Sequence, residues 1–441
     1  MTEGNASAQQ TGPSGRDPIR VALLGAGTVG SQVARLLVER SGELAQDLGR
    51  RLELAGVACR HPGAVEAPWI DRSLLTTDLS GLCHRADIVV ELMGGMEPAR
   101  TMLLTAMESG ASVVTANKAL LAASGPELYR KAATCGVDIR FEAAVGGAMP
   151  VVRVLSESLA GDRILSLSGI VNGTTNFILD QMATQGLDFD EALDQAREEG
   201  YAEADPTADI EGRDAASKAA IMATLAFHTR VTSDDVAVQG IRRITAGDML
   251  WAAAQGRVVK LLATVSQGEK GVAARVRPVL LPRDHPFASV HGGFNAVAIQ
   301  AEAAGEIVLY GQGAGGTPTA SAVMGDIVTE ARNIIASGRG TSIHLGKTVP
   351  ICHPDPDGGF FCVRFLTDDC QGFRVRMDER LEEAGITLHK ADYLMCPGGI
   401  SQVHTLIGPC RESYLATVAA DLGRCDRSAG RPLILGMVDE R

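Results

Sequence analysis

The sequence predicts an α/β protein of two or three domains, and three observations carry that reading. Its 441 residues exceed what a single hydrophobic core usually serves. The first part alternates short apolar strands with helical stretches, the pattern of a parallel sheet covered by helices. After a glycine-bearing linker near residue 340, a second series of strand and helix signals begins at about residue 357.

Composition narrows the class. A hydrophobic fraction of 45% rules out general disorder. The formal charge of −12, with no basic run, argues against a nucleic-acid surface. The nine cysteines are odd in number and contain no CxxC pair, so no disulfide framework is expected. Six of them follow residue 350, where they read as small buried hydrophobes, with a redox or metal role as the alternative. The nine histidines show no HxxxH spacing, which excludes the usual zinc pattern. Residues 1–17 are small and polar, a frayed tail rather than a signal peptide, and no apolar run reaches bilayer length. The chain reads as cytoplasmic.

Ile19–Leu24 is a short apolar strand, followed by Gly25-Ala26-Gly27-Thr28-Val29-Gly30 and a helix to about Arg40. Strand, GxGxxG and helix in that order form the dinucleotide fingerprint of a Rossmann-type domain. The glycines permit the tight turn, backbone approach to pyrophosphate and helix–strand packing. A second strand, Leu52–Ala58, ends in Cys59-Arg60-His61 with no acid to hold ribose hydroxyls. Arg60 is suited to a 2′-phosphate, so NADP(H) is favoured over NAD(H); the alternative is a solvated strand-end charge. Strands at Ile88–Leu92 and Ser112–Thr115 flank a helix over Pro98–Ser109. The latter strand delivers Lys118 to the carboxyl edge of the sheet, where ligands collect.

From Arg140–Glu142 the chain enters Ala143-Ala144-Val145-Gly146-Gly147-Ala148-Met149-Pro150. That loop either exposes carbonyls to a hard cation or simply turns the chain. A strand at Ile164–Val171 precedes Asn172-Gly173-Thr174-Thr175-Asn176, where Asn172 and Thr174 read as caps of a helix over Phe177–Gln185, with a ligand contact as the alternative. Next comes the most distinctive stretch, GYAEADPTADIEGRDAASK at 200–218. Glu203, Asp205, Asp209, Glu211 and Asp214 crowd around one proline, and a nearly uncharged helix begins at about Arg213. Asp214 and Lys218, four apart, share a helix face. They are either a surface ion pair or, if the lysine faces a packed interior, a proton-transfer group held by its acid. Short strands and turns are expected from about residue 229 to Tyr310. Gly311-Gln312-Gly313-Ala314-Gly315-Gly316 then forms a second glycine loop before a helix over Ala320–Ile335, either a cofactor contact or a hinge.

Six blocks together resemble homoserine dehydrogenase: GAGTVG at 25–30, TANK at 115–118, FEAAVGGAMP at 141–150, NGTTNFIL at 172–179, the 200–218 block and GAGGTPTASAV at 313–323. The resemblance covers residues 19–335, and its 200–218 pattern is far more specific than the glycine fingerprint. It implies NAD(P)H-dependent, reversible reduction of L-aspartate 4-semialdehyde to L-homoserine in threonine, methionine and isoleucine biosynthesis. It further implies that Lys218 is the proton donor, with Lys118 near the nicotinamide and substrate oxygen. Glu203 would bind the substrate's amino group, Asp209 and Asp214 would orient substrate and lysine, and Gly200 would belong to the substrate site. Gly25, Gly27, Thr28, Val29, Gly30, Arg60, Thr115, Lys118 and Gly315 fall on cofactor positions. Glu142, Val145, Gly147 and Met149 fall where the family holds Na+ or K+, mainly through main-chain oxygens. Ala148 replaces a glycine common among relatives, which leaves the carbonyls in place.

In the tail, strands at Phe360–Leu366, Ile386–Ala391 and Val403–Ile407 alternate with helices at Val375–Ala384 and Arg411–Leu422. This run resembles an ACT domain, a ferredoxin-like βαββαβ module that pairs between subunits and binds an amino acid. Asp369-x-x-Gly372 matches the turn at its ligand site, and Cys370-Gln371 stands where Lys-Pro is usual. The resemblance implies feedback inhibition by L-threonine and a homodimer or homotetramer, with a ligand-free dimerisation module as the alternative. The expected organisation is a dinucleotide-binding domain over 18–150 completed by 311–337, and a catalytic and dimerisation domain over 151–310. A linker over 338–356, the ACT domain over 357–430 and a tail over 431–441 follow. Two other functions compete: a catalytically silent dinucleotide- and amino-acid-binding sensor, and another Rossmann reductase of semialdehydes or imines.

Overall fold

The computed structural model describes residues 17–338, 340, 343, 345–346, 348–353, 355, 358–395, 399–424 and 431–438. The expected N-terminal tail lies outside the described residues except for Asp17, as do Cys396 and Cys425. The chain divides into two compact units: Met1–Arg153 with Gly315–His344, and Val154–Ala314 with Leu345–Arg441.

The first unit begins with β1 (Ile19–Leu24), α1 (Thr28–Glu39), α2 (Ser41–Leu48), β2 (Leu52–Ala58) and β3 (Leu75–Thr76). It continues with α3 (Leu79–Cys83), β4 (Ile88–Glu91), α4 (Ala99–Glu108), β5 (Ser112–Thr115), α5 (Lys118–Cys135) and β6 (Ile139–Arg140). The short α6 (Val151–Arg153) closes the segment. The strands are parallel in the order β3-β2-β1-β4-β5-β6, which is the doubly wound dinucleotide-binding order. Strands covered on both faces must be apolar throughout, and Val21, Leu23, Ile88, Val90 and Val114 are all fully buried. Strand order reverses between β1 and β4, so the crevice at their carboxyl ends is the place for a ligand.

The second unit contributes β7 (Ile164–Ile170), α7 (Gly173–Gln185), α8 (Phe189–Glu198), α9 (Thr207–Ile210) and α10 (Arg213–Phe227). It then runs through β8 (Ala237–Val238), α11 (Ala246–Ala254), β9 (Arg257–Gly268), β10 (Gly271–Pro282), β11 (Phe294–Ala301) and β12 (Gly305–Gln312). Strands β12, β11, β7, β9 and β10 pair antiparallel in that order. Where short strands were expected, β9 and β10 form a hairpin of two twelve-residue strands. Pro278 and Pro282 obscure that length in the sequence, because proline inside a run argues against a strand. Helix α11 was not anticipated either. Its signal is a capping box, with Thr245 and Asp248 bonding each other's backbone amides across the first turn.

The chain then returns to the first unit as α12 (Gly316–Ile335), whose Val323, Ile327 and Ala331 join Val33 and Leu37 of α1 in one core. The remainder belongs to the second unit: β13 (Ile351–Cys352), β14 (Gly359–Thr367), α13 (Cys370–Glu383), β15 (Leu388–Met395), β16 (Ser401–Cys410), α14 (Glu412–Arg424) and β17 (Leu433–Met437). Strands β17-β14-β16-β15 pair antiparallel, so the βαββαβ run has the 4-1-3-2 order of a ferredoxin-like module. The sequence reading left Leu433–Met437 in a tail, but these residues supply the module's fourth strand. Burial explains it: Leu433 and Leu435 are 1% exposed. Strand β17 also pairs parallel with β10, through Val279 with Gly436 and Leu280 with Met437. The module and the middle sheet are thereby one eleven-stranded sheet. Among the described residues no helix is long and apolar enough to cross a membrane.

Candidate active site

In the first unit the glycine fingerprint does what its spacing requires. Gly25 sits at φ +120°, in the left-handed half of backbone space, and a Cβ there would meet the Leu92 carbonyl oxygen at 2.7 Å. A side chain on Gly30 would collide with the carbonyl of Gly25, so the helix lies directly on the loop. A cavity of about 820 Å³ opens here, lined by Gly25, Gly27, Arg60, Glu66, Met93 and Gly94 among others. Thr28, Val29 and Gly30 form the first turn of α1. Gly316, following the α12 N-cap Gly315, packs against Thr28, where an added Cβ would meet Thr28 Cγ2 at 2.9 Å. The start of α12 therefore lies against the first turn of α1.

At the carboxyl ends of β4 and β5, a buried carboxylate that the sequence reading overlooked organises the strand-end loops. Glu91 is fully buried; its Oε1 accepts from the amides of Met93 (2.8 Å) and Gly94 (3.1 Å), and its Oε2 accepts the Thr115 hydroxyl at 2.6 Å. Thr115 Oγ1 accepts from the Asn117 amide at 3.0 Å. Asn117 caps α5 by accepting from Leu120 N, and its amide donates to the Gly95 carbonyl at 2.6 Å. Lys118 is therefore the first residue of α5, exposed and held by a fixed N-cap. The signal that was available is Asn117 itself, a preferred cap residue immediately before the helix.

The Glu142 loop is the stretch expected to hold a monovalent cation. Glu142 is buried, and its two oxygens accept from the amides of Val152 (2.8 Å) and Arg153 (2.9 Å), capping α6. Burial, reinforced by Asp326, pushes its carboxyl up to about 7. Val145 and Gly147 are buried, with Gly147 at φ +59°, and among the described residues no hydrogen bond reaches their carbonyl oxygens. The Met149 carbonyl accepts from Val151 N at 2.9 Å. Buried carbonyls without donors are unusual, and hard cations take such oxygens. The loop fits the ion through Val145 and Gly147, while the Glu142 carboxylate already serves the backbone.

In the second unit the 200–218 block closes on the start of α7. Lys218 is 7% exposed, so the choice left open by spacing falls to the interior reading. Its Nζ lies 2.8 Å from Asp214 Oδ2 and donates to the Val171 carbonyl at 2.6 Å. An ammonium has three N–H donors, so one remains for another acceptor. Asn172 Nδ2 donates to Asp214 Oδ2 at 2.8 Å and to Asp209 Oδ1 at 2.7 Å, while its Oδ1 caps α7 by accepting from Thr175 N at 2.8 Å. The expected cap is present, but the same side chain also ties two acids together. Gly200 turns at φ +79°, and the Tyr201 ring stacks on Phe177 with centroids 4.4 Å apart. Thr174 does not cap; its hydroxyl donates to the Tyr201 carbonyl at 2.7 Å. Glu203 is exposed and makes no hydrogen bond among the described residues. Asp205, one residue before the α9 N-cap Pro206, accepts from Thr207 N at 3.1 Å, and the Thr207 hydroxyl and then its amide hold the Asp205 carboxyl below the ordinary value. Among the described residues no cluster of His, Cys, Asp and Glu could hold a metal ion.

Residues 25–142 match the family described as "Homoserine dehydrogenase, NAD binding domain", and residues 150–328 match "Homoserine dehydrogenase". The homoserine dehydrogenase of Corynebacterium glutamicum is 48% identical over 402 residues, 88% of each chain. A crystal structure of a homoserine dehydrogenase from Thiobacillus denitrificans aligns over 96% of this chain and 99% of its own, with 34% identity and a TM-score of 0.88. A hyperthermophilic archaeal homoserine dehydrogenase in complex with NADPH aligns over 74% of this chain and all of its own, with 29% identity and a TM-score of 0.63. A dinucleotide-binding sheet, a buried lysine–aspartate pair and relatives matched along most of their length lead to one assignment: the chain belongs to the homoserine dehydrogenase family.

Proposed function

We propose that the protein reduces L-aspartate 4-semialdehyde to L-homoserine, reversibly, with NADPH as the preferred reductant. The observation that carries this reading is the buried Lys218–Asp214 pair, with one ammonium donor left over. A dinucleotide held with its pyrophosphate at the glycine loop would supply the hydride from its nicotinamide. Reduction of an aldehyde leaves charge on oxygen, which needs a proton and a nearby cation. Lys218 gives that proton from its remaining N–H, and Asp214 holds the ammonium in line and stabilises its charged form. Lys118 supplies a second positive charge near the nicotinamide and the substrate oxygen. Glu203, with no hydrogen-bond partner among the described residues, takes the substrate's ammonium, and Asp209 with the Gly200 turn shapes the substrate site.

NADPH preference rests on Arg60 in the cavity wall and on the missing strand-end acid; the archaeal relative was solved with NADPH. Thr115, Lys118 and Gly315 complete the cofactor site. A monovalent cation bound by Val145 and Gly147 would hold the loop that joins β6 to α6. The ferredoxin-like module is read as an ACT domain that binds L-threonine at the Asp369 turn and inhibits the enzyme. There Asp369 caps α13 by accepting from Gly372 N at 2.8 Å. The protein is read as a cytoplasmic homodimer or homotetramer.

The test is NADPH oxidation by the purified full chain with L-aspartate 4-semialdehyde, with and without L-threonine. Turnover is expected, with inhibition by threonine. Absence of turnover in a folded sample overturns the enzyme reading, whereas turnover indifferent to threonine overturns only the regulatory one.

A further inference from the structure

The start of β11 buries a carboxamide against the second glycine loop. Asn295 is 0% exposed, and among the described residues neither its Nδ2 nor its Oδ1 has a hydrogen-bond partner. The carboxamide lies where a side chain on Gly313 would stand: an added Cβ there would meet Nδ2 at 2.0 Å and Oδ1 at 2.5 Å. Gly313 is buried as well. Among the described residues no hydrogen bond uses its carbonyl, or the amide and carbonyl of Ala314. Buried polar groups are paired in the great majority of cases, because an unpaired one loses its water without replacement. A carboxamide and a peptide group suit each other, since each offers an N–H and an oxygen. Here the two are in contact at Gly313 and no hydrogen bond joins them.

The carboxamide also sits close to the reacting groups of the second unit. Asn295 pairs with Gly311 on β12, and its neighbour Ala296 pairs with Ile170 on β7. The Phe294 carbonyl accepts from Asn176 Nδ2 at 3.3 Å. The start of β11 thus lies beside the β7–α7 junction, whose Val171 and Asn172 hold Lys218 and Asp214. Past Gly313 and Ala314 the chain reaches Gly315, at φ +118°, a backbone conformation open chiefly to glycine. Gly313 and Gly315, with one small residue between them, let the backbone turn with little to displace.

We propose that Asn295 is a positioning residue: when a dinucleotide binds, the second glycine loop shifts so that the Gly313 and Ala314 backbone bonds the Asn295 carboxamide. The inference rests on the reading of Gly315 as a cofactor contact. Unpaired buried groups destabilise the free chain, and closure of the loop removes that penalty. The closed loop and the occupied cofactor site therefore favour each other. Closure also fixes the loop beside the junction that holds Lys218.

The test compares the full-length parent with Asn295→Leu, which keeps the shape of the side chain and removes both polar atoms. In urea without cofactor, the variant's midpoint is expected at or above the parent's, because no hydrogen bond is lost and two unpaired atoms go. NADPH affinity, by fluorescence titration, should fall about tenfold or more, the loss of two hydrogen bonds made only in the bound state. A lower midpoint would show that the carboxamide is already bonded in the free chain, and unchanged affinity would remove the link to the cofactor; either overturns the inference. Hydrogen–deuterium exchange of the parent needs no variant: saturating NADPH should slow exchange across residues 311–316, and Asn295→Leu should lose that slowing. Exchange indifferent to NADPH in a parent that binds it overturns the inference and leaves the cofactor reading intact. A folded parent that binds no NADPH overturns the cofactor reading and the inference with it.

Discussion

Asn172 and Asp214 are joined by a 2.8 Å hydrogen bond, and the Asp214 oxygen that accepts it also lies 2.8 Å from Lys218 Nζ. One carboxylate oxygen is therefore fixed from two sides, by the N-cap of α7 and by a lysine one turn further along α10. The lysine's remaining freedom is taken by the Val171 carbonyl, one residue before Asn172. Lys218 is positioned by its own helix and by the short β7–α7 junction at Val171 and Asn172.

Replacing Lys218 with alanine should lower kcat by about 10²- to 10⁴-fold, the usual range for a positioned proton donor. NADPH affinity, measured by fluorescence titration, should stay within about threefold. A variant with normal kcat and weakened NADPH binding would show that Lys218 is a cofactor residue instead.

Asn172 serves as a cap and a bridge, and two substitutions separate the roles. Asn172→Ala loses both and should cost about 1 kcal/mol of stability in addition to activity. Asn172→Ser keeps a capping oxygen but is too short to reach Asp209 and Asp214. It should unfold in urea close to the parent while kcat falls roughly tenfold or more, since both hydrogen bonds to charged groups are lost. Parent-like kcat in Asn172→Ser would reduce the residue to a cap.

Arg60→Ala should weaken NADPH about tenfold or more, as expected for a lost charged hydrogen bond, and leave NADH nearly unchanged. The measurement is the ratio of kcat/KM with the two cofactors. Equal losses for both would make Arg60 a bystander.

Lys260 predicts a pH dependence of stability. It is 3% exposed, donating to Asn176 Oδ1 at 3.0 Å and to the Val290 carbonyl at 2.6 Å, and burial brings its ammonium down to about 8 from 10.5. Between those values the unfolded chain holds a proton that the folded chain has released. Stability from this group therefore rises as pH increases from about 8 to 10.5, with a slope of up to about 1.4 kcal/mol per pH unit. Urea unfolding across that window should show the rise in the parent relative to Lys260→Met. Parallel curves for the two proteins would remove Lys260 as the source.

The sequence by itself determined the local features whose chemistry is written in consecutive residues. β1, β2 and β5 begin and end where apolar runs meet turn residues, and the GxGxxG loop follows from strand, glycines and helix in order. The i, i+4 spacing also placed Asp214 and Lys218 on one face of α10. What spacing leaves open is which way that face points, because an ion pair looks the same in sequence whether it is buried or solvated. Tertiary packing decided it, by setting Val171 and Asn172 against the pair. The same limit hid Glu91, an acid ending an apolar strand whose three donors come from residues 93, 94 and 115. It also hid β17, since five apolar residues near a chain end become a strand only when β14 and β10 flank them on either side. Long-range pairing has no local signature; it exists only once the chain has folded around it.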